Sequence, residues 1–272
     1  MNSLLLAKKM RVDILNMIHA SHASHIGSAF SIVDILAVLY SDVLVYDTSN
    51  DSLPIRDRLI LSKGHAGAAL YSVLGEIGFF DIKLLDQYEK NGSCFSGHIS
   101  HSGVPGIELS TGSLGHGVCV ATGLALAGKL NDVEYRVFAI VGDGEINEGS
   151  FWETVLFANH NCLSNLTIII DHNHMQATGT TERILETVDI GNKMESFGWN
   201  VIQINGHNHS EIKKALETSF PNNKPKCIVA NTIKGKGVSF FENSLLWHYR
   251  DPQGVFYEKA LLELTGEKHN EE

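Results

Sequence analysis

The chain has few cysteines, no excess of positive charge and no long apolar run, and each shortage removes a class of protein. The four cysteines, Cys94, Cys119, Cys162 and Cys227, are scattered, with no CxxC pair among them. That spacing builds neither a disulfide framework nor a zinc site and suits reduced thiols in a cytosolic enzyme, so a cytoplasmic location is expected. Against 31 Asp and Glu there are only 21 Lys and Arg, a net charge of −10. An acidic chain is a poor match for a phosphate backbone, so no nucleic-acid partner is expected. No apolar run approaches the length of a membrane span, and the start, MNSLLLAKKM, is too short and too soon charged for a secretory signal. Repeats and low-complexity tracts are missing, as are GxGxxG and the P-loop pattern, which disfavours a plain nucleotide-binding domain.

What is present is an ordinary globular composition at a length of 272 residues. A chain of this size hides about three quarters of its unfolded surface. Apolar periodicity predicts helices over 4–22, 66–75, 118–130, 150–160, 184–197 and 210–220, and strands over 58–61, 136–141, 166–170, 199–204 and 227–232. A further helix is expected from Ser31, with Asp34 three residues on in the style of a capping box. Alternation of strand and helix through the second half points to an α/β fold with a doubly wound, mostly parallel sheet flanked by helices. Residues 1–265 are read as one domain and 266–272 as a charged tail.

The chain is organised around Gly142-Asp143-Gly144. The run before it, RVFAIV, is a buried strand, and the run after it, from Ser150, is a helix. The next strand, LTIII, ends in Asp171-His172-Asn173, thirty residues after Asp143. Two strand ends thus each deliver an oxygen donor, the Asp143 carboxylate and the Asn173 amide, and open α/β sheets bind ligands at the carboxyl ends of their strands. Mg²⁺ takes one or two oxygens from protein and the rest from phosphate and water. The flanking glycines permit close backbone approach, and a helix N-terminus favours anions. A tight turn with Asp as a helix cap is the plainer alternative. An unpaired buried carboxylate, however, wants a cation or hydrogen-bond donors.

GDG with an Asn at this distance resembles the signature of thiamine-diphosphate enzymes. The fuller strings, GDGEINEGSFWE and IIIDHNHMQATGTT, resemble the N-terminal, diphosphate-binding domain of transketolases, and the likeness runs from Arg11 to about His248. The resemblance implies thiamine diphosphate with Mg²⁺ or another divalent cation as cofactors. It implies Asp143, Asn173 and the backbone carbonyl of Met175 as metal ligands, and Gly142, Gly144 and Glu145 beside the diphosphate. His65, in SKGHA, and His248 match histidines that contact the diphosphate; His25 and His98 match histidines on the substrate side. Gly112 and Leu114, in TGSLGHG, match the lining of the aminopyrimidine pocket. Glu148 matches a glutamate that links two active sites near a subunit interface. His25, His65, His98, His248 and Glu148 are accordingly the candidate catalytic residues.

The sequence departs from the family pattern at Ile26 and Ser113, where proline is usual, at His116, where glutamine is usual, and at Tyr249-Arg250-Asp251 after His248. Arg250 could bind an anionic substrate group, or simply face solvent. His101 has no counterpart. The Lys234-Lys236 pair between glycines lacks the P-loop pattern and is read as positioning the loop that follows it.

In transketolases a glutamate in a second, pyrimidine-binding domain activates the cofactor, and no such domain follows in this chain. The resemblance therefore implies the N-terminal subunit of a split transketolase. A separate C-terminal subunit would supply the catalytic glutamate in an α₂β₂ assembly. The reaction implied is transfer of a two-carbon ketol unit from a ketose or its phosphate to an aldose or its phosphate. Alternatives left open are half-subunits of a 2-oxoacid dehydrogenase E1 or of a deoxyxylulose-phosphate-synthase-like enzyme, a non-catalytic scaffold, and ketol transfer in a specialised sugar pathway.

Overall fold

The computed structural model describes residues 1–50, 52–185 and 189–266. Five strands form one sheet: β1 (Arg58–Leu61), β2 (Val137–Gly142), β3 (Leu166–His172), β4 (Asn200–Asn205) and β5 (Lys226–Asn231). All neighbours are parallel, in the order β1-β2-β3-β5-β4. The strands β2, β3 and β5 are nearly continuous apolar runs, as a parallel sheet covered on both faces requires.

Eleven α-helices accompany the sheet among the described residues: α1 (Ser3–Ser21), α2 (Ile26–Ser31), α3 (Val33–Val38), α4 (Gly67–Glu76), α5 (His116–Leu130), α6 (Gly149–His160), α7 (Thr181–Ile184), α8 (Ile190–Ser196), α9 (His209–Glu217), α10 (Leu246–Tyr249) and α11 (Val255–Thr265). Because successive strand side chains point to opposite faces, Phe138, Ile140, Ile169 and Ile228 enter a core with α1 to α4, α9 and α11. Val137, Ala139, Val141, Ile168, Ile170 and Val229 enter a second core with α5, α6 and α8. Burying a large aliphatic side chain contributes about 1.5–3 kcal/mol, so these two layers carry most of the fold's stabilisation. The sheet is the doubly wound α/β arrangement expected from the sequence.

The expected strands and helices fall within a few residues of their places, with two exceptions, and α10 and α11 have no counterpart among the expected helices. The helix expected from Ser31 with a capping box is instead two short helices, α2 and α3. Ser31 ends the first rather than capping the second, because its hydroxyl donates to the buried carboxylate of Asp171 (2.7 Å) and to Ser28 O (2.9 Å). Asp34 is likewise drawn away from capping, by Arg11, His207 and His209. Of the helix expected over 184–197 only the second half forms, as α8, while α7 ends at Ile184 and Leu185 is extended; residues 186–188 of that expectation lie outside the described residues, as does the tail from 267 onward.

The glycine-rich stretch 91–117 has no helix or strand before α5, yet it is anchored rather than free. Phe95, Ile99, Val104 and Ile107 are buried. Ile99 N–H donates to Gly64 O (3.2 Å), Thr111 N–H to Ile99 O (3.2 Å), and the Thr111 hydroxyl to Leu61 O (2.6 Å). A Cβ at Gly64 would lie 2.3 Å from Thr111 O, so glycine is required for this stretch to reach the end of β1. No helix among the described residues is long and apolar enough to cross a membrane.

Candidate functional site

A cavity of 490 Å³ opens at the carboxyl ends of β1, β2 and β3, and every site residue named from the sequence lines it. At its floor, the turn after β2 carries Asp143, only 2% exposed. Its Oδ2 has no hydrogen-bond partner. Burial, and then the neighbouring charge of Asp171, push the Asp143 carboxyl up to about 7, with Lys63 and Lys234 offsetting only part. A buried carboxylate oxygen without a donor is costly to leave alone, and a cation would satisfy it.

Glu145, two residues on, is built differently. It is 1% exposed, and its carboxylate accepts from Gly115 N–H (2.9 Å), Gly142 N–H (3.2 Å) and the Ser62 hydroxyl. It thereby ties the turn holding Gly142 and Gly144 to the end of β1 and to the TGSLGHG loop. Burial raises its pKa, with these hydrogen bonds opposing.

At the end of β3, Asn173 is fixed from both sides of its amide. Nδ2 donates to Asp171 Oδ2 (2.9 Å), and Oδ1 accepts Met175 N–H (3.1 Å). These partners orient Oδ1, and a carbonyl oxygen keeps a second lone pair. Met175 bridges to Thr180 in an antiparallel pair that closes the following loop. Among the described residues no group of three His, Cys, Asp or Glu side chains is placed to hold a metal. The donors present are a carboxylate, an amide oxygen and a nearby backbone segment. This hard, incomplete oxygen set fits Mg²⁺, which draws its other ligands from phosphate and water.

Two buried lysines, neither named as a site residue from the sequence, face this floor. Lys63 is 1% exposed and pairs with Asp171 at 2.5 Å. Lys234, also 1% exposed, reaches Gln176 O at 3.4 Å, and burial, then Lys63, lowers its pKa to about 8. The lysine pair read as loop positioning is thus divided: Lys236 pairs with Glu242 (3.2 Å), while Lys234 turns into the cavity. Gly235 permits this. It has a φ of +82°, and a Cβ there would meet Phe241 O at 2.4 Å. The available signal was a lysine between a strand end and glycine in both SKGHA and TIKGKG; the absence of a P-loop spacing obscured it.

The upper wall is imidazole. Ring centroids of His25 lie 5.2 Å from His65, 5.7 Å from His98 and 5.0 Å from His248. His25 has a φ of +73° and is held by its N–H to His248 O (2.8 Å) and by Ser24 Oγ at Nδ1 (2.9 Å). Burial first, then neighbouring charge, lowers His25 to about 4 and His248 to about 3, and takes His65 well below its usual value. These three rings are neutral at pH 7, and each can donate a hydrogen bond from one nitrogen and accept one at the other. His248 Nδ1 is buried without a partner. Gly112 lies against His98, where a Cβ would approach Cδ2 to 3.3 Å; Leu114 and the exposed Glu148 complete the opposite wall.

His101 is outside the cavity lining and bonds Ser110 (2.7 Å). Arg250 is also outside it, with its guanidinium over the rings of Trp247 (5.6 Å) and Phe256 (4.7 Å). The ring of Tyr249 lies against the cluster, 4.5 Å from that of His248 and 5.9 Å from that of His25.

The family described as "Transketolase, thiamine diphosphate binding domain" matches residues 3–249. The chain belongs to this family. This transketolase domain is 36% identical over 260 residues to one subunit of the apulose-4-phosphate transketolase of Phocaeicola vulgatus, covering 95% of this chain and 92% of that one. It is 40% identical over 244 residues to the 6-deoxy-6-sulfo-D-fructose transketolase subunit SqwG of a Clostridium species, covering 89% of each. Among solved structures, Campylobacter jejuni transketolase superimposes with a TM-score of 0.89 at 31% identity, covering 95% of this chain but 42% of that one. The fold is therefore the thiamine-diphosphate-binding α/β fold. Likeness to separate transketolase subunits favours this reading over a 2-oxoacid dehydrogenase or deoxyxylulose-phosphate synthase half, which the GDG motif alone left open.

Proposed function

We propose that this chain is the N-terminal subunit of a two-subunit transketolase, carrying the diphosphate and metal end of the cofactor in residues 1–265. The observation that carries the reading is Asp143: a buried, partner-free carboxylate oxygen beside Asn173 and Lys234 at adjoining strand ends, in a chain of this family. Asp143, the Asn173 amide oxygen and the Met175 carbonyl would hold Mg²⁺. Lys234, His65 and His248, with the backbone at Gly142 and Gly144, would hold the diphosphate, while Glu145 fixes the turn. Gly112 and Leu114 would line the aminopyrimidine side.

Bound thiamine diphosphate supplies the nucleophilic carbon that accepts a two-carbon unit from a ketose and passes it to an aldose. The chain's own residues orient and protect. Neutral imidazoles at His25, His65 and His248 can each accept a hydroxyl proton at one ring nitrogen and donate from the other. With His98 they would position sugar hydroxyls and move protons at the donor carbonyl and the product aldehyde. The low-dielectric wall raises the worth of each such contact.

A C-terminal partner would supply the pyrimidine-binding domain and a catalytic glutamate in a cytoplasmic α₂β₂ assembly, with Glu148 near the contact between active sites. Two relatives are named for apulose 4-phosphate and 6-deoxy-6-sulfo-D-fructose, so donors beyond the common pentose phosphates belong in the test. The chain is co-expressed with a C-terminal transketolase subunit. Ketol transfer is then assayed from xylulose 5-phosphate, apulose 4-phosphate and sulfofructose to aldose phosphates. Activity with both chains and none with either alone is the expected outcome; full turnover by this chain alone would overturn the split-subunit reading.

A further inference from the structure

Lys234 is the cation of the cavity floor with the least support for its head group, a single carbonyl at 3.4 Å. Its placement therefore depends on the backbone that carries it. That backbone is held at four points. Ile233 N–H donates to His207 Nε2 (2.8 Å), Lys234 O accepts from Asn243 N–H (2.9 Å), Gly235 N–H donates to Gly27 O (3.0 Å), and Lys236 O accepts from Arg11 Nε (2.9 Å).

The first and last of these holds return to one carboxylate. Asp34, 5% exposed in α3, accepts Arg11 Nη1 at 3.1 Å and Nη2 at 2.7 Å, and His207 Nδ1 at 2.7 Å. His209 Nε2 adds a contact at 3.2 Å. None of Asp34, Arg11 or His207 lines the cofactor cavity. The hydrogen bonds also decide a tautomer. An imidazole nitrogen that accepts an amide N–H carries no proton, so His207 must be protonated at Nδ1, the nitrogen facing Asp34. The carboxylate selects that form, as an outer carboxylate orients a metal-bound histidine. Without it the Nε2–H tautomer becomes available, which cannot accept from Ile233, and a part-buried N–H is orphaned.

We propose that Asp34 is a positioning residue for Lys234, acting through His207 on one side and Arg11 on the other, so that grip on the cofactor diphosphate depends on a carboxylate outside the cavity. This rests on Lys234 holding the diphosphate, and the test separates the two claims. Mg²⁺-dependent binding of inorganic pyrophosphate and of thiamine diphosphate is measured by calorimetry on the full chain, alongside thermal unfolding.

Lys234→Met is expected to weaken both ligands, and His207→Ala to weaken them roughly 10-fold, within the 10–100-fold range for orienting partners. His207→Gln, which presents an amide oxygen to Ile233 N–H, is expected to recover most of the loss. In the Lys234→Met background, His207→Ala is expected to have no further effect, the signature of action through one residue. Asp34→Asn, nearly isosteric, should repeat the pattern if His207→Ala folds poorly. Unchanged binding in both His207→Ala and Asp34→Asn, or an equal loss with and without Lys234, would overturn the positioning claim alone. Unchanged binding in Lys234→Met would overturn the role of Lys234 itself, and this inference with it.

Discussion

Two aspartates end neighbouring strands of the same sheet, are almost equally buried, and have opposite surroundings. Asp171, at the end of β3, is fully inaccessible and takes hydrogen bonds from Lys63, Ser31, Asn173 and Thr232. Burial alone would raise its pKa, but Lys63 and the hydroxyls outweigh it and leave it lowered. Asp143, just beyond β2, has an oxygen with no partner and a carboxyl pushed up to about 7. The sheet thus directs four donors to one carboxylate and leaves its neighbour short. The first arrangement is structural. The second leaves a carboxylate oxygen to a positive ligand, in keeping with the perturbed groups found at functional positions.

Removing either kind of partner sharpens the contrast. Lys63→Met strands the Asp171 charge in the interior and should destabilise the chain by about 3–5 kcal/mol, read from chemical denaturation. Thr232→Val keeps the volume but deletes one donor to Asp171, with an expected loss of about 1–3 kcal/mol in the same experiment. Asp143→Asn should do the reverse. With the buried charge gone, the ligand-free chain should gain on the order of 1 kcal/mol, while Mg²⁺-dependent pyrophosphate binding disappears. A loss of stability in Asp143→Asn comparable to that of Lys63→Met would erase the distinction between the two aspartates.

The imidazole wall gives a smaller, pH-dependent effect. Folding holds His25 at about 4 and His248 at about 3, against 6.5 in the unfolded chain. Between those values the unfolded state binds more protons, so stability is full above pH 6.5 and declines as pH falls through 6.5 towards 4. Thermal unfolding at about pH 7, 5.5 and 4.5 should show the decline, and His25→Gln should flatten it in part. Retention of the full slope in that variant would mean that the ring is not held neutral.

The fold was legible because buried parallel strands write themselves as apolar runs: RVFAIV, LTIII and CIVANT fall on β2, β3 and β5 within one or two residues. Asp143 and Asn173 were legible because the strand ends that carry them follow directly from those runs. Less local features were not. Ser31 and Asp34 read as a capping box, since nothing near them in sequence announces Asp171, Arg11 or His207 as stronger partners, the nearest of which lies 23 residues away from Asp34. Lys63 and Lys234 were passed over for a related reason. Lysine is mostly a surface residue, and only the closing of the sheet over its stem makes it a buried cation. The convergence of His25, His65, His98 and His248 from four separate segments of the chain was supplied by family resemblance, not by spacing.

The central claim is that the end of β2 is a metal–diphosphate site. It is tested most directly by calorimetric titration of the chain with thiamine diphosphate, with and without Mg²⁺, in the native sequence and in Asp143→Asn. The account predicts binding to the native chain only with Mg²⁺, and none to Asp143→Asn at the same concentrations. Equal affinity with and without Mg²⁺, unchanged in Asp143→Asn, would contradict it.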